Sequence, residues 1–239
     1  MRSLPRIDSR YWFCLCVASV FGTNTGDLVA DELHIGHLSG LPWLAGLFAL
    51  ILLLDRIVRR PTPLWFWFAI ITVRTSATNV GDMFYDWHID LAVSIPIVLA
   101  LFVCAVWVYC RFYNAVTTLG DTVRVTPNYW VCMTLAGVLG TLVGDFASYI
   151  LHLTPPGAAV VVGALVAIML RIGRRRQILA PALYWTTVAL IRTAGTAAGD
   201  ALAHALSLPI STLLTGLAFL VPVIAFYGTD RLTGRLKAP

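Results

Sequence analysis

The sequence predicts an all-α membrane protein of eight transmembrane helices. Of its 239 residues, 59% are hydrophobic and only 12% are charged, and the mean hydropathy is +0.81. Apolar segments of transmembrane length also recur along the whole chain. Soluble domains rarely combine these features, so a water-soluble globular protein is excluded.

Eight apolar segments are each long enough, or nearly so, to cross the hydrocarbon core of a bilayer. They cover residues 11–31, 41–54, 64–86, 91–109, 129–151, 155–170, 182–204 and 208–227. The first follows Arg2, Arg6 and Arg10 and so resembles a signal peptide. Its apolar stretch contains Asp27 and is too long and too polar for a cleaved one, so we expect a retained helix.

Basic residues fall on one side of the predicted helices. With a cytoplasmic N-terminus, every further Lys or Arg outside the apolar segments is cytoplasmic: Arg56, Arg59, Arg60, Arg111, Arg124, Arg171, Arg174, Arg175, Arg176, Arg231, Arg235 and Lys237. The positive-inside rule therefore predicts that both termini are cytoplasmic. The histidines then lie at or near the outer face, at His34, His37, His88, His152 and His204.

An internal repeat occurs four times in the chain. Gly-Asp recurs late in each odd-numbered helix, at Asp27, Asp82, Asp145 and Asp200. Trp stands fifteen residues before each Asp, at Trp12, Trp67, Trp130 and Trp185. Thr stands four residues before each Asp, at Thr23, Thr78, Thr141 and Thr196.

We therefore predict a single transmembrane domain built of four two-helix repeats. The repeats cover residues 11–60, 64–111, 129–176 and 184–231, and they form duplicated halves at 11–111 and 129–231. Because each repeat crosses the membrane twice, all four have the same orientation. This implies pseudo-symmetry about the membrane normal rather than an inverted repeat.

The Trp and Thr-x-x-Gly-Asp frames resemble a family of bacterial membrane proteins of unassigned function. Members of that family consist of four tandem repeats, each with two transmembrane segments and a characteristic tryptophan. The resemblance covers nearly the whole chain and implies a multi-pass protein of the bacterial inner membrane. It brings no activity, so the function has to be argued from the residues.

The four repeated Asp residues are the main functional candidates. A charged Asp in a transmembrane helix costs about 2.5–3.5 kcal/mol and needs a partner or a water-filled cavity. Thr and Asp four residues apart share one helical face. We therefore expect an inner bundle of odd helices, sheathed by the even ones, with a cation site made of the four Asp, the four Thr, Asn24 and Asn79. Asp27 and Asp82 are the first-choice metal ligands.

Two arginines lie within the predicted spans. Arg74 and Arg192 stand eight residues before the Asp in the second and fourth repeats, where the other repeats have Ser19 and Gly137. Arginine near the bilayer midplane is costly and is usually paired or faces a pore. We expect these two to act as counter-charges or in gating. Alternatively, Asp–Arg pairs simply lock the bundle.

The first two outer loops carry further carboxylates and imidazoles, which we predict to capture a cation. They are Asp31, Glu32, His34, His37, Asp86, His88 and Asp90. Such ligands suit divalent ions such as Mn²⁺, Mg²⁺ or Zn²⁺. No ligand motif is diagnostic, however, and a solvated acidic loop or a proton relay would use the same residues.

These residues predict a transporter or channel for a small cation, first of all a divalent metal ion. The alternatives are a proton-coupled or pH- or metal-sensing membrane protein, and a structural bundle without transport. No catalytic or nucleotide-binding motif is present, so we expect neither an enzyme nor a nucleic-acid partner. The expected partners are the lipid bilayer and a small inorganic ion. The sequence leaves open the ion, the direction of movement and whether a homodimer forms.

Overall fold

The computed structural model describes residues 1, 3–58, 62–113, 117–118, 121–122, 124–176 and 178–228. Several of the basic residues behind the topology prediction lie outside this part of the chain: Arg2, Arg59, Arg60, Arg231, Arg235 and Lys237.

Eight long helices make up almost all of the described chain. They are α1 (Ser9–Asp27), α2 (His37–Ile57), α3 (Leu64–Asp86), α4 (Leu91–Tyr113), α5 (Pro127–Asp145), α6 (Thr154–Arg176), α7 (Pro181–Leu206) and α8 (Leu208–Val223). Single π-helical turns extend α1, α5 and α8 over Leu28–Glu32, Phe146–Ile150 and Ile224–Gly228. Two dipeptides pair as short antiparallel strands, β1 (Thr117–Thr118) and β2 (Ile178–Leu179). The predicted all-α fold is confirmed.

The helix ends follow local sequence signals. Asp8 caps α1, since its Oδ1 accepts hydrogen bonds from the backbone nitrogens of Arg10 and Tyr11 at 2.9 and 3.0 Å. Thr126 caps α5, which begins with a proline. The four connections from an odd to an even helix each contain a residue with positive φ, at His34, His88, His152 and Ser207. His is among the residues that tolerate this conformation, so three of the five histidines have a backbone role.

Six helical segments of the described chain are long and apolar enough to cross a membrane. They are Ser9–Glu32, His37–Ile57, Leu91–Phe112, Pro127–Ile150, Thr154–Arg175 and Leu208–Gly228. The other two, α3 and α7, have 23 and 26 residues and are long enough, but they contain the Arg and Asp residues that lower their hydropathy. The apolar helices indicate a membrane protein.

The odd-numbered helices form a closed inner ring. α1 packs against α3, α3 against α5, α5 against α7, and α7 back against α1. The even-numbered helices pack outside this ring, with α2 on α3, α4 on α5, α6 on α7, and α8 on α1 and α7. This arrangement agrees with the expected inner bundle and outer sheath.

Glycines set the close spacing of the inner helices. The Gly directly before each repeated Asp packs against the repeated Thr of the next inner helix, and the last packs against the first. The pairs are Gly26 with Thr78, Gly81 with Thr141, Gly144 with Thr196, and Gly199 with Thr23. A Cβ atom at Gly26 would lie 2.9 Å from the Cβ of Thr78, which is too close for any larger residue.

Candidate functional site

The repeated Asp residues lie together at one end of the inner ring. We call this the acidic end; the opposite end, where α1, α3, α5 and α7 begin, is the basic end. Asp145 is buried, whereas Asp27, Asp82 and Asp200 are partly exposed. All four carboxylates are close enough to interact electrostatically with one another. We call this set the acidic ring.

The repeated Thr residues form a buried layer beneath the acidic ring. This threonine layer consists of Thr23, Thr78, Thr141 and Thr196, each at most 2% exposed. Three of them accept hydrogen bonds from the Arg74 guanidinium: Nη2 donates to Thr23 and Thr196 at 2.6 Å, and Nη1 donates to Thr141 at 3.2 Å. The fourth, Thr78, has a buried hydroxyl without a partner among the described residues.

Arg74 also donates to backbone carbonyls of three inner helices. Its Nε donates to Ser19 on α1, Nη1 to Gly137 on α5, and Nη2 to Arg192 on α7, at 3.3, 3.0 and 3.5 Å. The Arg74 side chain on α3 therefore contacts all three of the other inner helices. It can do so because the equivalent positions on α1 and α5 hold the small residues Ser19 and Gly137.

Arg192 is equally buried but has few partners. Its Nη2 lies 3.7 Å from the Sδ of Met133, which is a weak acceptor. Its Nε and Nη1 have no hydrogen-bond partner in the part of the chain that the structure describes. Met133 lies toward the basic end of α5, so Arg192 extends away from the acidic ring.

An aromatic layer closes the basic end of the inner ring. Its members are the residues directly before the repeated Trp: Tyr11, Phe66, Tyr129 and Tyr184. All are buried. The Tyr184 hydroxyl lies 2.6 Å from that of Tyr11 and 3.3 Å from that of Tyr129. Sequence reasoning missed this layer, although the aromatic residue before each Trp recurs in all four repeats.

Asn24 and Asn79 lie at helix interfaces rather than under the acidic ring. Asn24 donates from its Nδ2 to the Ser211 hydroxyl of α8, and its Oδ1 faces Gly199 of α7. Asn79 lies between Gly26 of α1 and Gly40 of α2. Within the described residues, the Oδ1 atoms of both are buried and without a partner.

His37 lies next to two other predicted capture residues and one residue of the acidic ring. Its Nδ1 lies 2.9 Å from Asp86 Oδ2, and its Nε2 lies 3.8 Å from both Asp31 Oδ1 and Asp82 Oδ2. Asp82 belongs to the acidic ring, so this cluster connects the ring to the outer surface. We call these four residues the His37 cluster.

The remaining predicted capture residues do not join this cluster. The Oδ1 of Asp90 accepts a hydrogen bond of 2.9 Å from the backbone nitrogen of Ala92 at the start of α4. His34 and His88 are the residues with positive φ in their connections. Both are exposed, as is Glu32.

Among the described residues, no group of three or more His, Cys, Asp or Glu side chains could hold a metal ion. The expected ligands Asp27 and Asp82 are thus not part of a preformed metal site.

Among the described residues, neither Arg74 nor Arg192 has a carboxylate oxygen within 4.0 Å. Arg74 is held instead by hydroxyl and carbonyl oxygens, whereas Arg192 has only the weak contact with Met133 among the described residues.

Comparison with known proteins identifies one of the repeats. Residues 183–231 match the family model of a repeat of unknown function, DUF347. They correspond to the predicted fourth repeat and include most of α7 and all of α8. The match supports membership of a repeat-containing family without an assigned function. No curated protein and no solved structure matches the chain.

Proposed function

We propose that this chain is a transporter or channel for a small cation, which binds at the acidic ring. The observation that carries the proposal is the set of four mutually interacting carboxylates at the end of a closed ring of helices. Carboxylates within a membrane bundle are costly unless they have partners or face water. Where they occur, they typically mark an ion or proton pathway. Asp27, Asp145 and Asp200 have no cationic partner within 4.0 Å among the described residues.

Arg74 supports this proposal as a built-in competitor for the same carboxylates. It interacts electrostatically with the acidic ring, although the threonine layer and backbone carbonyls hold its guanidinium. One positive charge is set against four carboxylates, so an added cation would reduce their mutual repulsion. We infer that cation binding and the position of Arg74 are coupled.

The proposed pathway is open at the acidic end and closed at the basic end. Three of the four ring carboxylates are partly exposed, whereas the aromatic layer is buried. Passage to the other side would require Arg74, Arg192 and the aromatic layer to move. This favours a carrier over an open channel.

The ion itself is part of the proposal. A divalent metal ion needs several oxygen ligands at about 2.0–2.6 Å, so the carboxylates would have to approach one another on binding. A monovalent cation or a proton demands less rearrangement. A panel of ions is therefore the right first experiment.

The proposed setting is the bacterial inner membrane, with eight crossings and both termini in the cytoplasm. α3 and α7 would cross because they are enclosed by the other helices, which compensate for their lower hydropathy. The cyclic Gly–Thr contacts support four equivalent repeats about one axis. Cysteine accessibility in whole cells, at exposed positions of both ends, tests the number of crossings and the orientation.

Flux into proteoliposomes is the decisive test of transport. We expect uptake of at least one ion from a panel of divalent and monovalent cations, and its loss in the Asp27→Asn, Asp82→Asn double variant. Asp121→Asn is the control, because it makes the same kind of substitution, for one carboxylate, at an exposed site near the basic end. Undiminished flux in the double variant would exclude the acidic ring as the cation site.

The His37 cluster favours a second candidate, a proton-coupled or pH-sensing protein. Protonation of His37 would create ion pairs with Asp31, Asp82 and Asp86 and so act on the acidic ring directly. In that case His37→Gln would reduce the pH dependence of flux or of thermal stability. A pH profile unchanged by His37→Gln would rule this candidate out.

A further inference from the structure

A large cavity opens at the basic end, far from the acidic ring. It has a volume of about 950 Å³ and lies between α1 and α6, both of which pack against α7. Pockets that bind small molecules typically measure about 300–1,000 Å³. The cavity is therefore large enough for a sizeable ligand.

The walls of this cavity are mainly apolar. Trp12 and Phe13 of α1 and Leu170 of α6 line it, together with Leu183 of α7. Phe13 belongs to the apolar stretch of α1, and its side chain is half exposed. A face of this kind in a membrane protein suits a hydrocarbon chain.

The rim of the cavity is strongly basic. Arg171, Arg174 and Arg175 of α6 lie on it, and all three are exposed. Arg174 donates from Nη2 to the hydroxyl of Ser9 at 2.5 Å, which ties the end of α6 to the start of α1. Arg171 and Arg175, four residues apart, lie on one face of the helix.

The carboxylate in the cavity lining does not neutralise this rim. Asp8 caps α1, and its Oδ1 accepts two backbone hydrogen bonds there. Three arginines against one carboxylate leave the rim positive. Basic pockets between transmembrane helices are sites where anionic lipid head groups bind.

We propose that this cavity binds an anionic phospholipid. Its phosphate contacts Arg171 and Arg175, and an acyl chain lies against Trp12, Phe13 and Leu170. A zwitterionic lipid would place its ammonium group near the same arginines, and free phosphate would leave the apolar walls uncovered. The proposal does not depend on cation transport, because the cavity and the acidic ring lie at opposite ends of the bundle.

The test uses the full chain purified in a neutral detergent. We expect phosphatidylglycerol to raise the melting temperature in a saturable way, and phosphatidylcholine or inorganic phosphate at the same concentration to leave it unchanged. The Arg171→Gln, Arg175→Gln variant should bind phosphatidylglycerol about thirtyfold more weakly, since each of the two basic residues contributes about 1 kcal/mol near the surface. Ala167→Trp, which fills the cavity without changing its charge, should also weaken binding.

The matched control is the Arg111→Gln, Arg124→Gln variant. It removes two exposed arginines close to the basic end but outside the cavity. Equal loss of binding in both double variants would mean non-specific surface attraction and would overturn the proposal. Stabilisation by inorganic phosphate alone, or equally by phosphatidylcholine, would overturn it too. Retention of phosphatidylglycerol in native mass spectrometry gives a second readout if a variant melts early.

Discussion

Arg74 and Arg192 each stand eight residues before a repeated Asp, in the predicted second and fourth repeats, yet their surroundings differ sharply. Arg74 extends toward the acidic end and makes six hydrogen bonds to three inner helices. Arg192 extends the other way, next to Met133 and the aromatic layer, and two of its nitrogens have no partner within the described chain. The same residue at the same register thus has two different roles.

The difference shows that the repeated sequence spacing determines the position of a residue on its helix but not the direction in which its side chain extends. Arg74 occupies the space that Ser19 and Gly137 leave beneath the threonine layer, and its charge would repel a second guanidinium placed there. Once Arg74 occupies that space, Arg192 has to take the other direction. The ring is therefore close to equivalent in its backbone contacts and asymmetric in its charge.

The largest effect is expected for Arg74→Met. This change removes all six hydrogen bonds and the positive charge nearest to the acidic ring, and hydrogen bonds to a charged group each contribute about 1.5–3 kcal/mol. Thr23 and Thr196 also donate to carbonyls of their own helices and keep those hydrogen bonds, so the loss is less than additive. We expect the free energy of unfolding in detergent to fall by about 3 kcal/mol. An unchanged melting temperature would show that Arg74 does not hold the ring together.

A medium effect is expected for Gly140→Ala. This change tests the close contact between α5 and the backbone of α7 at Arg192, and it leaves the charge of Arg192 unchanged. The new Cβ would lie 2.5 Å from the Cβ of Arg192 and 2.7 Å from its carbonyl carbon. Because backbone must shift, we expect a loss of about 1–3 kcal/mol in thermal unfolding. Gly163→Ala is the control: nothing lies within 4 Å of its Cβ, and Ala favours a helix by about 1 kcal/mol. Equal behaviour of both variants would contradict the tight α5–α7 contact.

A smaller effect is expected for Tyr184→Phe in the aromatic layer. The change deletes the hydroxyl that contacts Tyr11 and Tyr129, and a buried neutral hydrogen bond contributes about 1 kcal/mol. Tyr149→Phe, at a half-exposed residue near the acidic end, is the control. If Tyr184→Phe lowers the melting temperature no more than Tyr149→Phe does, the tyrosine hydroxyls do not stabilise the closed basic end.

The smallest effect is expected for Arg192→Met. Arg192 has few partners among the described residues, and replacing such a buried cation by an apolar side chain of similar length is often neutral or stabilising. We expect the free energy of unfolding to change by less than about 1 kcal/mol, in clear contrast to Arg74→Met. A loss as large as that of Arg74→Met would mean that Arg192 has a partner, such as ordered water or a bound anion.

The sequence was sufficient to predict the helices and the face of each inner helix that points inward. Residues 64–86 were predicted as a helix and form α3. Thr and Asp four residues apart share a face, and the fixed spacing in all four repeats assigns that face to the same environment. Local spacing determines such features directly.

The contacts of individual polar side chains could not be read from the sequence. The direction of Arg74 depends on the size of Ser19 and Gly137 on two other helices. The placement of Asn24 against α8 also depends on tertiary packing, since Ser211 lies 187 residues away. The aromatic layer, by contrast, had a usable signal, because an aromatic residue precedes every repeated Trp.

The contacts of Arg74 also have a consequence for the order in which the protein folds. Its acceptors Gly137, Thr141 and Thr196 follow it by 63, 67 and 122 residues. Since chains fold from the N-terminus during synthesis, α3 is made before these acceptors exist. Until α7 is complete, the guanidinium can donate only to α1 and α5. A chain truncated before α7 would leave the ring unclosed and a costly charge only partly satisfied in the bilayer, and such fragments should be favoured substrates for membrane quality-control proteases.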